Sequence, residues 1–196
     1  MPRRLFVALE PPDAVRRRIA AAAEAIRRSA GAAAREVRWV PDENVHLTVQ
    51  FLGAVPEERV EAVGDALAAA AAFSRPLVLE VKGAGGFPNS RRPRVVWLGL
   101  SGEVETLAAL AADLGRRLAP LGFPPEARPF AAHLTLGRAR DPRGAPGLGG
   151  ALAAASQDDG IAWRAIDLVL FESHLSPKGP RYEPVRRAAL GSPAPA

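Results

Sequence analysis

The 196 residues are enough to bury a hydrophobic core, and the length favours one domain or two small lobes. Hydrophobic residues make up 48% and charged residues 24%, which excludes a disordered chain; cysteine is absent, and no apolar run approaches the ~20 residues that cross a bilayer. The net charge of +5 comes almost entirely from arginine, which suits phosphate, but codon bias explains the excess equally well.

The predicted elements mix strands and helices along the chain. Apolar patterns bounded by Pro, Gly and Asn predict strands at 5–9, 37–40, 45–53, 77–82, 94–100, 131–138, 163–171 and 182–188. One helix is predicted from the prolines at 11–12 to residue 28, and a second at 57–72. A third is predicted from its N-cap, Ser101, to residue 118, and a short fourth helix at 152–156. Segment 83–93 predicts a loop without a nucleotide-binding signature. Because strands and helices do not alternate strictly, the pattern favours an α+β fold with largely antiparallel sheets.

One tetrapeptide occurs twice: His46-Leu47-Thr48-Val49 returns as His133-Leu134-Thr135-Leu136. Both copies form strands by composition and follow turn-rich segments. Side chains alternate between the faces of a strand, so the His and Thr of each copy share one face. The same alternation puts Gln50 with the first histidine and turns Phe51 toward the core. We expect the two strands to form a cleft with paired imidazoles and paired hydroxyls.

Paired histidines have a chemical use in opening a cyclic phosphodiester with water. One group must take a proton from the water and another must protonate the leaving oxygen, and histidine does either near neutral pH. Threonine hydroxyls and arginines stabilise the non-bridging oxygens without a metal. Two histidines without a third His, Asp or Glu at ligand spacing do not make a metal site. We therefore expect no metal and no cofactor.

The two motifs resemble those of the two-histidine phosphoesterases, and the flanking segments resemble the bacterial and archaeal RNA 2′,3′-cyclic phosphodiesterases, also called 2′-5′ RNA ligases. The resemblance covers almost the whole chain, from Arg4 to about Val185. The segments that carry it are Arg4–Ala8, Val37–Pro41, Phe51–Gly53, Gly86–Asn89, Arg92–Gly99, Arg128–Phe130, Phe171–Ser173 and Gly179–Tyr182.

The resemblance implies a bilobal α+β fold with pseudo-twofold symmetry, helices on the outside and a cleft between the lobes. It implies that His46 is the general acid that protonates the leaving O3′, and that His133 is the general base that activates water, leaving a 2′-phosphate. Thr48 and Thr135 are then expected on the phosphate oxygens. The matching positions also suggest that a base stacks between Phe51 and Arg138, whereas strand alternation alone favours Phe51 as core.

For four other residues near these motifs, the sequence predicts a role less specifically. Glu172 and Tyr182 match family positions near the cleft wall but suit packing or turn formation equally well. His174 matches no fixed family histidine, which favours a surface or structural role. Gly137 departs from the family pattern and gives backbone freedom to the base-binding end.

Three alternative functions stay open at this point. A reversible 2′-5′ RNA ligase would use the same two histidines, a silent RNA-binding module would use the same basic cleft, and a related esterase would act on small cyclic nucleotides. We expect one two-lobed domain over 1–190 and a tail over 191–196. We also expect a monomer that acts on RNA with 2′,3′-cyclic phosphate ends, without a membrane. Since the N-terminus lacks the apolar segment of a signal peptide, we expect a cytoplasmic location.

Overall fold

The computed structural model describes residues 1–124, 129–156, 160–176 and 179–191. Within these ranges the strands are β1 (Arg3–Leu9), β2 (Val37–Trp39), β3 (Leu47–Val55), β4 (Leu77–Phe87), β5 (Val95–Gly102), β6 (His133–Ala139), β7 (Ile161–Ala165), β8 (Asp167–Ser176) and β9 (Gly179–Ala189). The α-helices are α1 (Asp13–Ala30), α2 (Val60–Ala72), α3 (Val104–Leu118) and α4 (Gly149–Ala155).

The strands form two sheets. The first sheet has the order β3-β1-β8-β9 and the second has the order β2-β6-β5-β4-β7. Each of the strand pairs that builds them is antiparallel. Helices α2 and α3 pack against each other; α2 contacts β8 and β9 of the first sheet, and α3 contacts β3 of the first sheet and β4 of the second. Helices α1 and α4 pack against each other and against the second sheet. The predicted α+β class with antiparallel sheets is confirmed.

The order of elements repeats once along the chain. The first half runs β1-α1-β3-α2-β4, and the second runs β5-α3-β6-α4-β8. Within each half the first strand pairs with the strand that carries the His-Leu-Thr motif, β1 with β3 and β5 with β6. The last strand of each half instead joins the other half's sheet, since β4 pairs with β5 and β8 pairs with β1. This strand exchange gives the two lobes their pseudo-twofold relation, as predicted.

The two faces of β1 have different neighbours. Leu5, Val7 and Leu9 are fully buried in the main core with the apolar stripes of the helices. Phe6 and Ala8 lie on the opposite face, in a small cluster with Val169, Phe171 and the half-buried Tyr182. Because both faces of this central strand are apolar, its sequence shows the near-continuous hydrophobic run that is typical of a strand covered on both sides.

Three of the sequence predictions are wrong for a local reason. The first part of the glycine-rich segment continues strand β4 through Phe87, after an irregularity in the register between Val81 and Ala84. The strand predicted at 163–171 is two strands that are interrupted at Ile166. Ser101 lies in β5 and donates its hydroxyl to Glu80 Oε2 at 2.9 Å, so it does not cap α3, which begins at Val104.

The described part of the chain ends beside helix α2. The tail predicted at 191–196 lies outside the described residues except for Gly191, whose N–H donates to the Ala71 carbonyl. None of the helices in the described ranges is both long enough and apolar enough to cross a membrane.

Candidate active site

Both motif strands contain a β-bulge at the same position after the threonine. In β3, Thr48 lies opposite Ala8 of β1, but Gln50 lies opposite Val7, so β3 has one extra residue there. In β6, Thr135 lies opposite Trp97 of β5, but Gly137 lies opposite Val96. A bulge lets two residues of one strand oppose one residue of the other, and it reverses the alternation beyond it.

The first bulge turns Phe51 out of the core. Its ring is 57% exposed and lies 6.1 Å from the ring of Phe6, on the same side as His46 and Thr48. Gln50 turns inward instead, and its amide donates to the carbonyls of Phe123 and Pro124. The predicted alternation therefore holds only as far as Val49, and the placement of Phe51 in the core is wrong.

The second bulge gives Arg138 the position in β6 that Phe51 has in β3. Arg138 is exposed, while Gly137 is buried against β2. A Cβ on Gly137 would lie 2.5 Å from Val37 Cγ1 and 3.1 Å from the Arg38 carbonyl oxygen. The glycine is thus required by close packing, and the expected freedom at this end of the site is wrong.

The imidazole of His46 is enclosed by aromatic rings and held in one orientation. Its Nδ1 donates to the Asn44 carbonyl at 2.7 Å, and its ring centroid lies 4.7 Å from that of Phe6 and 5.1 Å from that of Tyr182, whose ring is perpendicular to it. Burial lowers the pKa of His46 to about 4, although the Asn44 carbonyl raises it. The imidazole is therefore neutral at pH 7 with the proton on Nδ1, which leaves Nε2 as an acceptor.

His133 repeats this backbone contact in a more open setting. Its Nδ1 lies 2.7 Å from the carbonyl oxygen of Ala131, again two residues earlier in the chain. Its ring is perpendicular to that of Phe87, with ring centroids 5.1 Å apart. The backbone contact of His133 is exposed, whereas that of His46 is partly buried. Both histidines have Nδ1 engaged by backbone, so Nε2 is the nitrogen available to a substrate in each.

The two motifs come together in one cleft. The positive charges of Arg138 and His133 both lower the pKa of His46, although Arg138 and His133 belong to the other sheet. The pKa of Tyr182 is raised by burial and lowered by Arg138 and by Arg4 from β1. Strands β3 and β6, which carry the two motifs, also contact each other although they belong to different sheets. The cleft between the sheets therefore holds both histidines.

Comparison with known proteins identifies the family. A model of the LigT-like phosphoesterases matches the chain twice, over residues 9–97 and 98–182. The chain belongs to this family. The two matches meet at residues 97 and 98, inside strand β5 and only a few residues after the point between β4 and β5 where the repeated order of elements divides the chain.

Individual LigT-like relatives match over nearly their full length. A protein of Archaeoglobus fulgidus named RNA 2′,3′-cyclic phosphodiesterase is 34% identical over 93% of this chain and 98% of its own. A protein of the same name from Methanothermobacter thermautotrophicus is 30% identical over 91% of this chain and 94% of its own length. A solved structure from Thermus thermophilus has a TM-score of 0.78 at 29% identity, covering 96% of this chain and 98% of that one. The structure of E. coli LigT complexed with 3′-AMP has a TM-score of 0.72 at 29% identity, and the match covers 98% of this chain and 100% of that one.

Sequence reasoning missed Phe6 and Asn44 as contributors to this LigT-like site, and it placed Tyr182 near the cleft wall only through the resemblance. Phe6 and Tyr182 enclose His46, and Asn44 orients it; the Asn44 amide also donates to the Pro180 carbonyl, which ties the motif to β9. The two-sided apolar pattern of β1 was the available signal for Phe6. Tyr182 lies 136 residues from His46, and no local pattern connects the two.

Glu172 and His174 lie on the other face of the first sheet. Glu172 Oε2 accepts bonds from Arg3 Nε and Nη2 at 2.9 and 2.6 Å. His174 Nε2 lies 3.1 Å from Glu183 Oε2 and 3.7 Å from Glu172 Oε2. Both residues belong to a network of charged groups at the surface. Within the described residues, no group of three His, Asp or Glu side chains is placed to hold a metal ion.

Proposed function

We propose that the chain is an RNA 2′,3′-cyclic phosphodiesterase that produces 2′-phosphomonoesters by metal-independent acid–base catalysis. The observation that carries the proposal is the matched pair of His-x-Thr strands, with each histidine held through Nδ1 by a backbone carbonyl. The names of the relatives support the reaction, and the complexes of E. coli LigT with 3′-AMP and with phosphate support a phosphate site.

The two histidines divide the proton transfers. His133 Nε2 takes a proton from water as the water oxygen attacks phosphorus, and His46 Nε2 gives a proton to O3′ as the P–O3′ bond breaks. Entering and leaving oxygens lie roughly in line at phosphorus, so the two groups must reach it from opposite sides. Two motifs on two sheets meet that requirement. Thr48 and Thr135 donate their hydroxyls to the non-bridging oxygens, where charge develops.

The acid role of His46 requires the substrate to raise its pKa. With a pKa of about 4, only about one free molecule in a thousand has the imidazolium at pH 7. A phosphate anion within hydrogen-bond distance favours the imidazolium, and burial strengthens that attraction because little water screens it. The burial that keeps His46 neutral in the free protein therefore makes its pKa respond strongly to an anion.

NMR titration of the imidazole tests this response. In the free protein we expect His46 to titrate near 4, and in the presence of a saturating nucleoside 2′-monophosphate we expect its pKa to exceed about 6. His174 is the internal control, because it lies on the other face of the sheet. A pKa of His46 that stays below about 5 with the nucleotide bound would contradict the acid assignment.

A base sandwiched between Phe51 and Arg138 would explain why both bulges turn these side chains into the cleft. Stacking on an aromatic ring contributes about 1–3 kcal/mol per base. We therefore expect Phe51→Ala to raise KM by about 5- to 150-fold, with a smaller effect on kcat. Phe73→Ala is the matched control, because Phe73 is also exposed but contacts Arg117 at the end of α2. Equal kinetic effects of the two substitutions would remove Phe51 from the base site.

The reaction itself is tested with a short RNA that ends in a 2′,3′-cyclic phosphate, incubated with the protein in EDTA. We expect a product with a 2′-phosphate, identified by its resistance to an enzyme specific for 3′-phosphates. Activity that disappears in EDTA and returns with a divalent ion would contradict metal independence. Binding of the RNA without any turnover would instead favour the silent RNA-binding module.

The setting in which this enzyme acts also stays a prediction. An RNA substrate is in keeping with a cytoplasmic location. One chain supplies both histidines, so the proposed site is complete in a monomer. Sedimentation of the purified protein as a particle of about 20.6 kDa is the expected result.

A further inference from the structure

Strand β2 gives the cleft an extra edge at one end only. It lies outside the repeated order of elements and pairs with β6 at the edge of the second sheet. Its register places Arg38 directly opposite Arg138. The pseudo-twofold symmetry of the site is therefore broken at this point by a second guanidinium beside the one that the repeat supplies.

Arg38 and Arg138 project from the same face of the sheet. Residues directly opposite each other in an antiparallel pair share a face. The neighbours of Arg38 agree, because Val37 is buried and Trp39 packs against the core on the other face. On the cleft face the row continues inward from Arg138 to Val95 and then to Phe87, whose ring contacts His133. The pair of arginines is thus the outer end of a row that leads to the catalytic histidine.

The repulsion between these two arginines destabilises the pairing of β2 with β6 unless an anion lies beside them. Like charges directly opposite each other on neighbouring strands repel and destabilise the pairing. The guanidinium of Arg38 is exposed and makes no hydrogen bond or ion pair with any residue that the structure describes. A phosphate bound to both guanidinium forks would replace the repulsion by charge-assisted hydrogen bonds.

We propose that Arg38, together with Arg138, binds a backbone phosphate of the RNA strand that precedes the cyclic end. The proposal rests on the proposed function, in which the cyclic phosphate itself occupies the histidines and threonines. A cyclic mononucleotide has no further phosphate for Arg38, whereas an RNA strand brings one with each preceding nucleotide. Arg38 therefore makes the enzyme prefer RNA ends over cyclic mononucleotides.

The test compares two substrates, a 2′,3′-cyclic mononucleotide and a trinucleotide that ends in the same cyclic nucleotide. For Arg38→Ala, the ratio of kcat/KM for the trinucleotide to that for the mononucleotide falls about tenfold, the scale of one hydrogen bond to a charged group. Arg38→Lys keeps the charge but loses the fork, so its ratio lies between those of Arg38→Ala and the unmodified protein. The slope of log kcat/KM for the trinucleotide against log salt becomes shallower by about 0.7 in Arg38→Ala.

Arg164→Ala is the matched control. Arg164 is an exposed arginine on the edge strand β7, at the opposite edge of the same sheet, between the buried residues Trp163 and Ala165. In Arg164→Ala, the ratio of kcat/KM for the trinucleotide to that for the mononucleotide and the slope against log salt stay at the values of the unmodified protein. An unchanged ratio in Arg38→Ala, or an equal loss on both substrates, overturns the proposal while the proposed function stands. Failure of the unmodified protein to hydrolyse either substrate overturns both.

Discussion

Replacing either His46 or His133 by alanine lowers kcat/KM for an RNA 2′,3′-cyclic end by at least about 10²-fold, the usual scale for general acid–base catalysis. The double substitution costs much less than the product of the two, because catalytic groups that act as a unit are non-additive. His174→Ala is the matched control and keeps full activity, since His174 lies on the other face of the sheet. Steady-state kinetics on the four proteins, together with the thermal midpoint of each, measure these effects.

The roles of the two histidines are separated by the leaving group. A p-nitrophenyl phosphodiester releases a weakly basic oxygen that needs little protonation, so on this substrate the loss in His46→Ala is largely rescued. His133→Ala stays slow, because water must still be activated. Rescue of His133→Ala alone would reverse the assignment, and equal losses in both variants would leave neither histidine as the specific acid. With the natural ester, kcat falls at low pH as the base is protonated and at high pH as the acid loses its proton.

Gly137→Ala destabilises the fold by about 1–3 kcal/mol, the usual cost of adding an atom to a packed position. The new methyl group would meet Val37 Cγ1 and the Arg38 backbone, neither of which moves without displacing β2. Gly150→Ala is the matched control, because a Cβ there meets nothing within 4 Å, and in helix α4 it stabilises by up to about 1 kcal/mol. The midpoints of urea unfolding compare the two variants.

A second consequence of Gly137→Ala concerns the cleft. Since β2 carries Arg38, its displacement lowers the ratio of trinucleotide to mononucleotide hydrolysis in the same direction as Arg38→Ala does. Equal stability of the Gly137→Ala and Gly150→Ala variants would show that β2 can move aside without loss of stability, which would contradict the packing role of Gly137.

The sequence was sufficient to predict the pairing of the motifs but not the shape of the strands that carry them. Alternation correctly placed each histidine on the face of its threonine, because the bulge in each strand comes only after the threonine. It failed at Gln50 and Phe51, since a bulge depends on how a strand pairs with its partner. The repeat also extends to Phe51 and Arg138, but these residues differ so much that comparison of the two segments does not reveal their equivalence.

The difference between the two histidines was also beyond the sequence. Both stand in a His-Leu-Thr tripeptide, and both bind a carbonyl two residues earlier. What distinguishes His46 is its enclosure by Phe6 from β1 and Tyr182 from β9, which are far away along the chain. A lowered pKa that arises from such distant neighbours has no local signature.

Neither half of the chain holds a complete sheet, because β4 and β8 each close the sheet of the other half. A polypeptide that encoded only one half would have to lend its last strand to a second copy and take the copy's strand in return. Such a pair is a domain-swapped homodimer, with two identical imidazoles facing each other across its axis. A permanent difference between them, such as the enclosure of His46, arises only after the two copies are joined in one gene and diverge.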